Sequence, residues 1–420
     1  MDTVQKLFTF IEKSPSPFHA IENMKQELEG QGYIQLLEGS AWKLEEGGNY
    51  YVIRNSSAII AFRIPKRDFL GFQIMASHSD SPSFRIKEYP EMEVENHYVK
   101  LNVEKYGGML CAPWLDRPLS VAGRLVIREG NRLVTKLVNV DRDLCMIPNL
   151  AIHMNREANE GYKYNAQKDM LPLYGCESAK GTFMARVAEA AGVEEEDIVG
   201  NDLFLYNRMK GSVWGASEEY ISIGRLDDLQ CAFASMEGLL RAQNYGSIAV
   251  HCVMDNEEVG SGTKQGAAST FLKDTLLRIN MGLGRTYEEY LMTLAGSFMV
   301  SADNAHALHP NYTDKTDPTN HPVLNKGIVI KFNANQKYCT DAVSAALFKE
   351  LCTKAGVPYQ TFVNRSDIAG GSTLGNISNT QVPMNTVDIG LPQLAMHSPY
   401  ETDGVKDTEY LVRAAEELFA

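Results

Sequence analysis

The run HCVMDNEEVGS places two carboxylates, Glu257 and Glu258, just past an apolar segment, Ile248 to Met254, that reads as a buried strand. Adjacent carboxylates at a strand end are costly to pack, because a buried charge needs a partner, a proton or a metal. One glutamate ligating a metal while its neighbour acts as a base accounts for both. Other metal-type side chains, His78, Asp227, Asp303 and His397, stand past apolar runs or in loops. If Asp227 bridges, each of two ions receives one histidine, one carboxylate and the shared aspartate, and a position stays open for water. Two ions about 3.5–4 Å apart lower the pKa of that water and clamp a tetrahedral intermediate. The remaining carboxylate, Glu257, can take the water's proton and pass it to a leaving amine. Spacing alone leaves open which residue plays which part.

Each residue also has an ordinary reading. His78 and Asp80 form an H-x-D in which the aspartate fixes the histidine tautomer or orients another group, yet such pairs also arise from local hydrogen bonding at strand ends. Asp227 and Asp228 precede a helix, where one can cap while the other ligates. The Glu257-Glu258 pair can sit in an exposed acidic turn, and Asp303 can be a turn residue. A lone His397 is ordinary in a core or on a surface. The set as a whole points to a metal-dependent hydrolase.

The elements that must position these groups alternate. Two helices split at Ser14–Pro17 open the chain, with Ser16 as cap and Pro17 in the first turn of the second. Strands are expected at Tyr50–Asn55, Ser57–Arg63 and Gly71–Ser77, the last ending on His78. A helix follows at Leu229–Ala242, then the strand Ile248–Met254, a helix near Thr270–Arg278, and strands Ser297–Ser301 and Gly327–Phe332. Thr340–Ala355 reads as helix, Tyr359–Asn364 as extended, Thr386–Ile389 as a short strand and Asp407–Leu418 as a closing helix. This is an α/β pattern, a mixed sheet flanked by helices. Residues 88–220 differ: alternating apolar runs such as GRLVIRE and RLVTKLVNV are divided by Gly, Asn and Pro, a β-rich texture. The expected organisation is therefore a catalytic domain from 1–87 and 221–420, interrupted by a β-rich insertion at 88–220.

The chain has 420 residues, 44% hydrophobic and 22% charged, in the range of ordinary globular proteins. Its net charge of −13 argues against non-specific nucleic-acid binding, which needs basic patches. Seven cysteines without CxxC spacing suggest buried thiols in a reducing compartment. The amphipathic, charged N-terminus lacks a signal-peptide core, and no apolar stretch is long enough to span a membrane. A cytoplasmic protein with no membrane partner is expected.

Together the runs SPSPFHA, SHSDSPSFRIK, YGGMLCAPWLDRPLSVAGR, IPNLAIHMNR, GRLDDLQCAF, DNEEVGS, SADNAHALHPNY, IKFNANQKYCTD and AMHSPYE resemble the aspartyl aminopeptidase family, in the same order from the first helix to the last. The resemblance implies a two-zinc exopeptidase that removes N-terminal residues from peptides, preferring Asp or Glu. It implies His78 and Asp303 as terminal ligands of one zinc, Glu258 and His397 of the other, Asp227 as bridge, Glu257 as general base and Asp80 as companion of the first histidine. It places His306, Lys331 and Tyr338 against substrate, and His153 in the site of a neighbouring subunit. It further implies homodimers assembled into a tetrahedral dodecamer. The run between the motifs of the β-rich block is shorter than expected for eukaryotic relatives, a departure that reads as bacterial. The Lys331 ammonium suits an acidic first side chain, although a lysine at a strand edge is ordinarily a surface residue. In VNRSDIAGGSTLGNISN, the start Arg365-Ser366-Asp367 departs from the family's glycine-rich loop, so neutral preference such as Leu stays open. The ligand atoms are of a kind that zinc, manganese and cobalt all accept. A different two-metal amidase or carboxypeptidase, or a metal-binding assembly or cargo protein with incidental peptidase activity, are the competing readings.

Overall fold

Alternating apolar strands and amphipathic helices build a nine-stranded mixed sheet with helices on both faces. The computed structural model describes residues 2–243 and 246–420; Met1, Asn244 and Tyr245 lie outside them. At the centre of the sheet, strand Phe72–His78 is parallel to Ile248–Met254 on one side and to Phe298–Ala302 on the other. All seven residues of Ile248–Met254 are buried, His251 among six apolar ones, the nearly continuous apolar run expected of a strand covered on both faces. Next outward from Phe298–Ala302 come Asn385–Gly390, Ile328–Phe332 and Tyr359–Val363.

One face of this sheet is covered by helices Thr3–Glu12, Pro17–Gly30, Leu226–Arg241, Ala342–Ala355 and Asp407–Phe419. The other is covered by Phe271–Gly282 and Tyr287–Ala295. Ser16 caps the second helix by accepting from the His19 N–H, with Pro17 in its first turn, as its sequence requires. The helix Tyr287–Ala295 adds to the expected elements. It is closed by a capping box between Thr286 and Glu289, a local signal that the short apolar spacing of Tyr290 and Leu294 does not announce.

A second, antiparallel sheet of six strands has its own core, including Phe84, Trp114, Leu125 and Leu203. It runs from Ser83–Val94 to Ile198–Asn207, so position 88 falls within a strand. The strands Ser212–Trp214 and Tyr220–Ile223 instead join a five-stranded sheet with Glu401–Gly404, Pro392–Leu394 and Ala305–His306. The β-rich region also carries a helix, Phe183–Ala191, that buries Phe183 and Val187 in the same core.

Candidate metal centre

Three neighbouring parallel strands deliver their acidic and imidazole groups at one edge, the carboxyl end of the sheet. In open α/β sheets that edge is where strands stop and loops diverge, leaving a crevice. His78 ends its strand and pairs in register with Met254; Glu257 and Glu258 follow in a short 3-10 turn. Asp303 follows Ala302 at the end of the third strand. Asp227 enters from the start of helix Leu226–Arg241, and His397 from the loop before strand Glu401–Gly404.

The side chains meet in overlapping sets. Ligand-type atoms of His78, Asp227, Asp228 and Asp303 lie within 4.8 Å of one another, as do those of Asp227, Glu258 and His397, and those of His78, Glu257 and Glu258. Asp227 faces both histidines: its Oδ1 is 3.5 Å from His78 Nε2 and its Oδ2 3.4 Å from His397 Nε2. Glu258 Oε2 is 3.4 Å from His397 Nε2. Each histidine is turned by its other nitrogen. His78 Nδ1 lies 3.0 Å from the Asp80 carbonyl, and His397 Nδ1 is bonded to the Gly108 carbonyl.

Asp227 and Asp228 do not cap the helix they begin. Both have non-helical dihedrals, Asp227 at φ −80° and ψ 107° and Asp228 at φ −120° and ψ 20°, so the chain is kinked there before the helix runs on. Asp228 instead accepts the His78 backbone N–H at 3.1 Å, holding the end of the central strand.

The electrostatics call for a cation. Burial, then the Asp303 carboxylate, pushes Glu257 up to about 8. Burial raises Glu258, Asp228 and Asp303 as well, with neighbouring carboxylates adding to the shift. Carboxylates this close resist ionising together. Moreover, the buried Asp227 Oδ1, Asp228 Oδ1 and Glu258 Oε1 have no hydrogen-bond partner. Orphaned carboxylate oxygens beside two oriented imidazoles form a donor set that suits zinc.

The chain matches the model of the aminopeptidase I zinc metalloprotease (M18) family over residues 10–419. It belongs to the M18 family. It is 46% identical over 427 residues to a probable M18 family aminopeptidase 2 of Clostridium acetobutylicum, covering 100% of this chain and 99% of that protein. A chain in the cryo-EM structure of the Ape4 and Nbr1 complex superposes with a TM-score of 0.95 at 37% identity, over 99% of this chain and 85% of that one. A chain of the S. cerevisiae mApe1 dodecamer gives a TM-score of 0.88 at 28% identity, over 100% of this chain and 96% of its own length. This M18 protein is thus a metal-dependent aminopeptidase, and the resemblance read from its motifs is confirmed at the level of family. No helix among the described residues is long and apolar enough to cross a membrane.

Around the M18 centre, Lys331 is buried and donates to the carbonyls of Asp303 at 2.7 Å and Asn304 at 3.4 Å. Its Nζ also sits 5.2 Å from the centre of the Tyr338 ring. It is therefore no surface lysine. Burial opposes its charge, but Asp303 outweighs that and holds its pKa above the usual lysine value. His306 is solvent-exposed, its ring 6.1 Å from that of Phe362, and it feels the charges of Lys331 and Asp227. His153 is exposed in the β-rich region, between the exposed Ile152 and Met154. Arg365 pairs with Asp367 at 2.6 Å, on the protein surface.

Several supporting residues were not singled out in the sequence. Tyr106 donates to Asp80 Oδ2 at 2.7 Å and receives a hydrogen bond from Asn256 Nδ2 at 2.8 Å. Glu401 accepts the N–H of His397 at 2.8 Å and that of Asp227 at 3.0 Å. Gly107, at φ +76°, lies so close that a Cβ there would stand 3.1 Å from Glu258 Cβ, which explains a glycine in YGGML. Tyr106 and Glu401 belong to motifs that carried the resemblance, but nothing local reveals their partners.

Proposed function

We propose that this protein hydrolyses the first peptide bond of peptides with a free N-terminus, preferring N-terminal Asp or Glu, with two zinc ions per chain. His78 and Asp303 would hold one, Glu258 and His397 the other, and Asp227 both. The observation that carries this reading is that four groups converge on Asp227 while Glu257 is left over beside them. When bound, zinc supplies Lewis-acid polarisation of the scissile carbonyl and acidifies water.

The chain's own groups do the rest. Glu257, half-buried and raised in pKa, is suited to accept a proton from water and to return one to the leaving amine nitrogen. Asp80 fixes Glu257 by accepting its backbone N–H at 3.1 Å. Lys331, with two of its hydrogens on carbonyls, has a third for an acidic side chain, with Tyr338 and His306 beside it. A neutral preference such as Leu is the second reading, favoured by that same commitment of Lys331 to the protein.

Residues 1–87 and 221–420 are proposed as the catalytic domain and 88–220 as the assembly insertion. The six-stranded sheet and the exposed Leu150, Ile152 and Met154 beside His153 support an interface there, as does the dodecameric mApe1 neighbour. Homodimers in a tetrahedral dodecamer, sharing His153 between subunits, follow. Free cysteines throughout the chain support a cytoplasmic location. Chelation followed by assay on aspartyl, glutamyl and leucyl substrates tests the proposal. Activity surviving complete metal removal would sink the mechanism, and a leucyl preference would sink the acidic specificity alone.

A further inference from the structure

Two loops that carry metal-type side chains are held by one buried carboxylate. Glu401 opens strand Glu401–Gly404, is 1% exposed, and pairs in register with Ile223, the last residue of strand Tyr220–Ile223. The chain leaves Ile223 toward Asp227 and reaches Glu401 from His397, so the two loops flank this position. Glu401 Oε1 accepts the His397 N–H at 2.8 Å, and its Oε2 accepts the Asp227 N–H at 3.0 Å.

Both loops need holding. Arg225 has φ 62°, Ala395 φ 56° and His397 φ 68°, a left-handed region that costs non-glycine residues and persists only where the surroundings impose it. Glu401 bonds to one of these residues directly, and its charge acts on the buried Arg225 guanidinium two positions before Asp227. Burying a carboxylate is costly; charge-assisted bonds to two backbone N–H groups offset that cost.

The other ligand-type residues are fixed by different groups. His78 is held through its N–H by Asp228 and through its Nδ1 by the Asp80 carbonyl. Asp303 gives its N–H to the Ile389 carbonyl and accepts from Lys331, and Glu258 gives its N–H to Asp80. Glu401 therefore supports two of the three ligands proposed for the second ion, Asp227 and His397, but only one of three for the first.

We propose that Glu401 is a positioning residue for the second ion, setting the spacing of the Asp227 carboxylate and the His397 imidazole by gripping both backbones. This rests on the ligand assignment made under the proposed function. A carboxylate suits the task because each of its ends accepts a bond. Glutamine has one accepting end, and its amide end would meet an N–H donor with another donor.

Zinc calorimetry on the metal-free full chain tests this. Wild type should bind two ions, and His397→Ala, which lacks a ligand of the second, should mark which step belongs to that ion. Glu401→Gln should weaken that step about tenfold to a hundredfold and the other step less. A merely structural role would lower the melting temperature while both steps weaken alike or neither does, and either result would overturn the proposal. A wild type that binds a single ion would instead overturn the ligand assignment beneath it. If Glu401→Gln does not fold, Glu401→Asp, too short to reach both N–H groups, should show the same ordering. Without any variant, the Asp227 and His397 amides of the metal-free wild type should exchange slowly with deuterium, as buried bonded N–H groups do. Rapid exchange of either would refute the grip.

Discussion

The Oδ1 of Asp80 accepts the backbone N–H of Glu257 at 3.1 Å. Its Oδ2 accepts from Glu258 at 3.2 Å and from the Tyr106 hydroxyl at 2.7 Å. The sequence suggests Asp80 as a companion of His78, and a 3.3 Å approach of its Oδ1 to His78 Nδ1 exists. Yet the shorter contact to that ring nitrogen is the Asp80 carbonyl at 3.0 Å. The carboxylate itself is mostly spent on holding the two glutamates. Asp80→Asn should therefore disturb the Glu257-Glu258 turn more than the histidine. An amide cannot accept three hydrogen bonds with both of its ends. Turnover should fall about tenfold to a hundredfold, as for other groups that orient ligands, with the first metal retained. Metal analysis beside kinetics checks this, and a variant that loses metal at unchanged turnover per ion would reverse the assignment.

Two carboxylates are left over once ligands are assigned around Asp227, and of these Asp228 is engaged with the His78 N–H, which leaves Glu257 for the base. Glu257→Gln keeps size and hydrogen bonding but cannot take a proton. It should retain bound zinc and lose about 10²–10⁴ in kcat. Near-normal turnover would place the base elsewhere.

Lys331 links specificity to the metal centre, because its Nζ lies 2.7 Å from the Asp303 carbonyl and 3.9 Å from Asp303 Oδ2. Lys331→Met leaves those buried acceptors without a donor. Activity should fall on every substrate as Asp303 loses its support, and by at least about tenfold more on aspartyl than on leucyl substrates if the ammonium also pairs with the incoming side chain. Equal losses on both would confine Lys331 to positioning Asp303.

The strand carrying the opening motif was legible to the residue: Ile248–Met254 is both the expected and the observed element. A strand covered on both faces reads as a short, nearly continuous apolar run, here broken only by His251, and few other patterns read that way. The candidate ligands were legible because they stand at strand ends, where the chain leaves the core. What supports them was not. Tyr106 reaches Asp80 across 26 positions and Asn256 reaches Tyr106 across 150, and contacts of that range leave no periodic trace. The strand at Ser83–Val94 crosses the expected start of the β-rich insertion and belongs wholly to the six-stranded sheet, because the change of sheet falls in the short link after His78, where no glycine marks it. The choice between Asp227 and Asp228 was open for a similar reason: both fit a helix start, and only the fold turns one toward the histidines and the other toward the His78 N–H.

His251 is fully buried, its Nδ1 2.8 Å from Ser235 Oγ and its Nε2 unpartnered. Burial drops its pKa to about 3. Between pH 6.5 and about 3 the unfolded chain binds a proton at this site that the folded chain refuses. Stability is then complete above pH 6.5 and is lost as pH falls, by about 1.4 kcal/mol per pH unit. The metal ligands also titrate, but equally in a variant. The stability of wild type minus that of His251→Gln, from urea unfolding at several pH values, should therefore shrink by that slope below pH 6.5. A difference independent of pH would refute the buried neutral imidazole.

His153 lies exposed in the β-rich region, flanked by the exposed Ile152 and Met154, and the resemblance gives it a place in a neighbouring subunit's site. Sharing can be read without a structure of the assembly. His153→Ala chains keep Glu257, and Glu257→Gln chains keep His153, so each homogeneous particle lacks one half of every site. Mixed assembly gives some Glu257-bearing chains a neighbour with an intact histidine. If equal amounts mix at random, about a quarter of the sites regain both groups. Co-refolded or co-expressed mixtures should then recover activity toward that fraction of wild type. A mixture no more active than the two parents added together would mean that His153 does not complete a neighbouring subunit's site.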